Sequence, residues 1–144
     1  MSAHVTGDGG AMAVLRAVET VAKSQPDIRD RRFNLIHCYF PTPEMAALAK
    51  SLNAGVDTQG YLYERDADFI AKIYGATWAG RFMGLGEWVK AGVPVGLNSD
   101  HMIGFDPDRA MNSFRPALML DIAVNRHDDR GKVYGEHQRL SRLD

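Results

Sequence analysis

The chain has 144 residues, 45% of them apolar and 24% charged, which is enough for one soluble domain with a real core. A net charge of −1 leaves no basic field for nucleic acid and no polybasic run for a membrane surface. The single cysteine, Cys38, excludes an internal disulfide and suits a reducing compartment.

No stretch resembles a signal peptide, because MSAHVTGDGG turns polar almost at once. The most apolar segment, Pro116 to Val124, is broken by Asp121 and is too short to span a bilayer. A cytoplasmic protein is expected.

In chain order, Met1 to Val5 reads as a strand stub that ends near His4, followed by the turn TGDGG. A helix is expected from Ala11, with Leu15, Val18, Val21 and Ala22 at helical spacing and Asp8 as its N-cap. It should stop before Pro26. Arg32 to Tyr39 reads as a second strand, with Phe33, Leu35 and His37 on one side and Asn34, Ile36 and Cys38 on the other. Thr42 then caps a helix that has Pro43 at its first position and Met45, Leu48, Ala49 and Leu52 as its buried stripe. Asn53 and Gly55 end that helix, and Gly55 to Gln59 is a third strand.

The stretch after Gly60 is less regular, with helix expected over Ala67 to Tyr74 and a loop at Gly75. Leu85 to Ala91 should be a short helix capped by Gly92. Val93 to His101 (VPVGLNSDH) is an apolar run that ends abruptly in polar residues, the pattern of a buried strand delivering Asp100 at its tip. A last helix is expected from about Asp108 to Asn125, with Met111, Phe114, Leu118 and Ile122 inward and a possible kink at Pro116. Arg126 to Glu136 is charged and reads as loop, and Gln138 to Asp144 as the first turn or two of a helix.

Strands alternating with helices imply an α/β fold with parallel strands and right-handed crossovers. Four such units are half of a (β/α)8 TIM barrel; a small doubly wound sheet is the rival. Three strand ends present His4, His37 and Asp100. In a parallel barrel all strand C-termini open on one face, and two imidazoles with a carboxylate suit a divalent metal such as zinc.

The run HVTGDGG at His4, the strand ending IHC at His37, and AGVPVGLNSD ending at Asp100 resemble the later half of the amidohydrolase superfamily. The branch they look most like is the amidohydrolase 3 family, which includes N-substituted formamide deformylases. The resemblance implies strands five to eight of a barrel, with His4 and His37 as metal ligands and Asp100 as ligand and proton shuttle. It implies a metal-dependent hydrolase of non-peptide carbon–nitrogen bonds in a small amide-type substrate, with a divalent metal, zinc by expectation. This sequence departs from the pattern at Ile36, where members usually have Glu. The family's His-x-His pair after the first strand has no counterpart here. Residues 1–144 are therefore expected to be a partial barrel domain cut at both ends, with little activity alone.

The alternative is an inactive half-barrel scaffold or mononuclear metal-binding module that needs the missing barrel half, a partner chain or self-association. Tyr61, Tyr63 and His101 are candidates for touching substrate, against the plainer readings of rim aromatics and a loop residue. Cys38, Trp78 and Trp88 read as packing residues, and Arg115 as an exposed helix cation.

Overall fold

A computed structural model of the protein describes residues 1–101 and 114–143. Four short strands form one parallel sheet in the order β1 (Ser2–Val5), β2 (Asn34–His37), β3 (Gly55–Thr58) and β4 (Val95–Leu97). Between and after them lie α1 (Asp8–Ser24), α2 (Pro43–Ser51), α3 (Tyr61–Tyr74), α4 (Ala76–Arg81), α5 (Leu85–Lys90) and α6 (Pro116–Asn125). Each strand pairs in parallel with its sequence neighbour. A doubly wound sheet needs a reversal of strand order, and among the described residues this sheet has none. It is an α/β sheet consistent with part of a barrel.

Alternation sorts the strand residues onto two faces. Leu35 and Val56, with Ala3, Val5 and Val95 partly buried beside them, face a core built with Leu15, Met45, Leu52 and Trp88 from α1, α2 and α5. Ser2, His4, Asn34, Asp57 and Gly96 alternate with these residues and lie on the opposite face. There the Asn34 amide donates to the Asp57 carboxylate. A second core joins α3, α4 and α6 through Tyr63, Phe82, Met83, Met119, Ile122 and Tyr134.

Local chemistry explains most element limits. Thr42 caps α2 as expected, its hydroxyl accepting from Met45 N at 3.1 Å with Pro43 following. The four residues expected inward on that helix are all buried. The start of α1 differs. Gly7 is the N-cap, extended at φ −80° and ψ 154°, and Asp8 is already helical, its carboxylate accepting from Gly9 N at 2.9 Å. Asp8 is thus a first-turn acid near the positive end of the helix dipole, not the cap. Val21 is exposed, while Leu15, Val18 and Ala22 are buried.

Further differences lie in the second half. Helix α3 begins at Tyr61, six residues earlier than the periodicity implied. Helix α4 replaces the expected loop after Gly75. Pro116 opens α6 rather than kinking it, and Phe114, placed inward by the sequence, is exposed. The expected helical stretch from Asp108 through Met111 lies outside the described residues. Among the described residues the tail holds no α-helix: Glu136–Gln138 is a 3-10 turn whose Gln138 side chain is buried and accepts from Glu87 N at 3.0 Å.

Loop 126–136 contains the largest surprise. Arg126 is buried, and its guanidinium donates to the carbonyls of Gly80, Phe82, Met83 and Tyr134 at 2.7–3.1 Å. It lies 4.1 Å over the Tyr63 ring. Among the described residues no helix is long and apolar enough to cross a membrane.

Candidate functional site at the strand ends

The C-terminal lip of the sheet collects the polar side chains of interest. Val5 of β1 pairs with His37 of β2, so His4 sits one step below His37 on the adjacent strand. At His37 and Cys38 the backbone takes φ of +78° and +49°, leaving the ladder, and the alternation expected through Cys38 breaks there. Cys38 drops into the first core, and burial pushes its thiol up to about 12. The His37 imidazole meets that of His4 edge-on, with their Nε2 atoms 2.6 Å apart.

His37 is buried, whereas His4 is open to solvent. On its other side, His37 Nδ1 is 2.7 Å from Gln59 Oε1. Gln59 follows β3, is fully buried, and donates from Nε2 to Asn98 Oδ1 at 3.0 Å. The same Asn98 oxygen accepts from the backbone N–H of Asp100 at 2.9 Å. A continuous hydrogen-bonded chain therefore crosses the lip from β1 to the residues beyond β4.

Asp100 adopts φ +45° just past β4. Its carboxylate field is felt at Tyr39 and Tyr61. Burial is the main cause that raises the Tyr39 hydroxyl, with Asp100 adding to it. Burial likewise pushes Tyr61 up to about 12, opposed by Arg65 and reinforced by Asp100. Tyr39 packs edge-on against His37 with centroids 5.5 Å apart. Asp100 thus shares this mouth with Tyr39 and Tyr61.

Of the residues singled out from sequence, His4 and His37 are brought into contact. Asp100 is not joined to them in a ligand cluster: among the described residues no group of three or more His, Cys, Asp or Glu side chains is placed to hold a metal ion. Tyr61 is buried, with its hydroxyl lacking a hydrogen-bond partner among the described residues. Tyr63, about 200° further round the helix, is committed elsewhere. Its hydroxyl donates to Tyr134 O at 2.8 Å and accepts from Tyr134 N at 2.7 Å, which makes it a packing residue of the second core. His101 is exposed and faces Phe114, with ring centroids 6.4 Å apart.

Trp88 is core, while Trp78 is half-exposed beneath Arg81, whose guanidinium lies 4.8 Å from its ring. Arg115 is exposed at the start of α6. Sequence reading passed over Gln59, Asn98 and Tyr39. Gln59 and Asn98 stand at the same strand ends as the imidazoles and the acid, which was the available signal.

The donor chemistry fits a divalent ion in part. Two nitrogens bound tetrahedrally at 2.0–2.1 Å lie about 3.3 Å apart, so the 2.6 Å pair needs only a small parting of the rings. The pair supplies two ligands where a catalytic zinc ordinarily has three from protein.

The fold is similar to part of two larger solved structures. An uncharacterized metal-dependent hydrolase from Pyrococcus horikoshii OT3 superposes with a TM-score of 0.72 and 20% identity over 96% of this chain. A second, from Pyrococcus furiosus, gives 0.66 and 19% over 95% of this chain. The chain spans 26% of the length of each. No protein-family model matches the sequence, and no curated protein matches it significantly.

Proposed function

We propose that this chain forms the C-terminal half of a metal-dependent hydrolase barrel of the amidohydrolase 3 type, acting on non-peptide carbon–nitrogen bonds in small amide or formamide substrates. The observation that supports it is the convergence of the His4 and His37 Nε2 atoms at 2.6 Å on the strand C-terminal lip. The two superposed structures are uncharacterized metal-dependent hydrolases. His4 and His37 would hold a divalent ion, zinc by the nitrogen-rich donor set. Such an ion supplies Lewis acidity toward a carbonyl and toward water.

Asp100 takes the proton of the attacking water and delivers it to the leaving nitrogen as the carbon–nitrogen bond breaks, so amide and water become carboxylate and amine. Tyr61 lines the mouth beside it. The chain brings only part of the ligand shell, so the isolated chain should bind metal weakly and turn over little. Equilibrium dialysis against Zn2+ with metal analysis tests this. One weak site, lost in both His4→Asn and His37→Asn, is expected; binding that ignores both substitutions refutes it.

A second reading rests on the sheet edges. Beside β4 an apolar groove of about 680 Å3 is lined by Val93, Val95, Leu97, Leu120 and Val124. Beside β1 lies another of about 330 Å3, lined by Ala3, Val14, Val18, Val21 and Phe33. Edge strands with apolar flanks call for further strands. In this reading the chain is a half-barrel scaffold completed by a partner that contributes parallel strands, a second copy being the simplest. A clean monomer by sedimentation at micromolar concentration counts against it.

A further inference from the structure

The hydrogen-bonded chain across the lip has a direction, and a backbone group sets it. The Asp100 peptide N–H can only donate, so the Asn98 atom 2.9 Å away is oxygen. That oxygen cannot donate, so the Gln59 atom 3.0 Å from it is the amide nitrogen. The other Gln59 terminus, 2.7 Å from His37 Nδ1, is then the amide oxygen, which only accepts. The proton of neutral His37 therefore sits on Nδ1, and its Nε2 presents a bare lone pair to His4 Nε2.

We propose that Gln59 and Asn98 are positioning residues which transmit the polarity of the Asp100 peptide to His37 and hold its Nε2 lone pair open for a ligand ion. A free histidine side chain in water favours the opposite tautomer, with the proton on Nε2, so the fold must impose this one. Without an ion, His4 donates from Nε2 to His37; an ion replaces that single proton and takes both lone pairs. The same relay ties Asp100 to the imidazole pair although the three residues form no ligand cluster. Its use rests on the metal reading above, but its existence does not.

The experiment is nitrogen NMR of the 15N-histidine-labelled full chain at about pH 8.5, two units above an ordinary imidazole. His37 signals are assigned by their loss in His37→Gln. The wild type is expected to show a protonated Nδ1 and a bare Nε2. Gln59→Leu should move His37 toward the Nε2–H form and weaken Zn2+ binding by about 10–100-fold, the usual effect of losing an outer-shell partner. Gln59→Glu keeps an acceptor against Nδ1 and should keep the tautomer, while its repulsion of Asn98 Oδ1 shifts the Asp100 amide resonance. Asn98→Ala frees the Gln59 amide to turn and should raise the Nε2–H population.

A wild-type proton on His37 Nε2, or no tautomer change in both Gln59→Leu and Asn98→Ala, overturns the proposal. If Gln59→Leu fails to fold, Gln59→Glu and Asn98→Ala decide it. The expected tautomers in a chain that binds no Zn2+ uphold the relay and refute the metal reading. Zn2+ bound at His4 and His37 with the wrong tautomer does the reverse.

Discussion

Replacing Arg126 by Met deletes the guanidinium and keeps most of the stem volume, and it should unpick the second core. The carbonyls of Gly80 and Phe82 lose that donor outright. Those of Met83 and Tyr134 keep others, from Leu85 N at 3.0 Å and from the Tyr63 hydroxyl at 2.8 Å. Two stranded acceptors at about 2 kcal/mol each, with two lesser losses, come to about 5 kcal/mol. Part of this is offset because the cation itself is costly to bury: burial pushes its pKa from the usual range down to about 10. A net loss of about 3–4 kcal/mol follows, in the range for breaking a buried polar network.

For a chain of this length the melting temperature should fall by about 10 °C. Urea unfolding followed by fluorescence of buried Trp88 measures it directly. Arg126→Lys keeps the charge but offers a point donor in place of a fork, and should lose about half as much. An Arg126→Met variant within about 1 kcal/mol of wild type would refute the hub. The consequence reaches the site, since Met83, held through its carbonyl by Arg126, donates its own N–H to Tyr39 O at 2.7 Å. Tyr39 in turn packs on His37.

Gly135→Ala should destabilise by at least about 2 kcal/mol, because φ is +64° and the new Cβ would lie 2.1 Å from Gly80 O; a neutral result in urea melts would contradict that backbone crossing. Cys38, buried with its thiol pushed up to about 12, should resist a thiol reagent in the native chain at pH 8 and react fully in denaturant. Rapid native labelling would show that Cys38 is not packed. His127 Nε2 meets Asp121 Oδ2 at 2.7 Å, which raises the imidazole, through its bonds to the Asp128 carbonyl and Asp121, and lowers the carboxylate, chiefly through the Asn125 amide. The raised histidine stabilises fully below the unfolded value and loses this as pH rises through its folded pKa. The lowered aspartate stabilises above its unfolded value and loses this as pH falls through its folded pKa. Stability should therefore gain from the pair between those limits, by at most about 1 kcal/mol because both groups are partly exposed, and His127→Gln should flatten the alkaline side of the profile.

Where local chemistry decides an element, the chain could be read directly. Thr42, Pro43 and the stripe through Leu52 carry α2 complete, because cap, first-turn proline and period agree. Helix α1 starts earlier than its glycines imply: Gly9 and Gly10 sit in its first turn, where backbone N–H groups lack intrahelical partners in any case. Helix α4 was invisible because Gly75 and Gly80 interrupt its pattern, and Gly80 is needed small for the crossing with Gly135. Arg126 is the extreme case. A charged residue in a charged stretch reads as solvated loop, and only the carbonyls gathered from the end of α4, the turn after it and Tyr134 make its burial tolerable.

The candidate site divides along the same line, and sheet geometry says why. Adjacent strands lie about 4.8 Å apart, so side chains at the ends of β1 and β2 can touch, as His4 and His37 do. The residues beyond β4 stand three strand spacings away, about 14 Å along a flat sheet. Along such a flat path a carboxylate would not reach the imidazoles, and among the described residues Asp100 joins no ligand cluster. Only bending of the sheet toward a closed barrel shortens it. The intervening strand ends meanwhile fill the gap with amides, whose hydrogen bonds span what the acid cannot. Imidazoles and acids announce themselves by residue type, whereas Gln59 and Asn98 acquire meaning only from the order β1-β2-β3-β4 that lays them end to end.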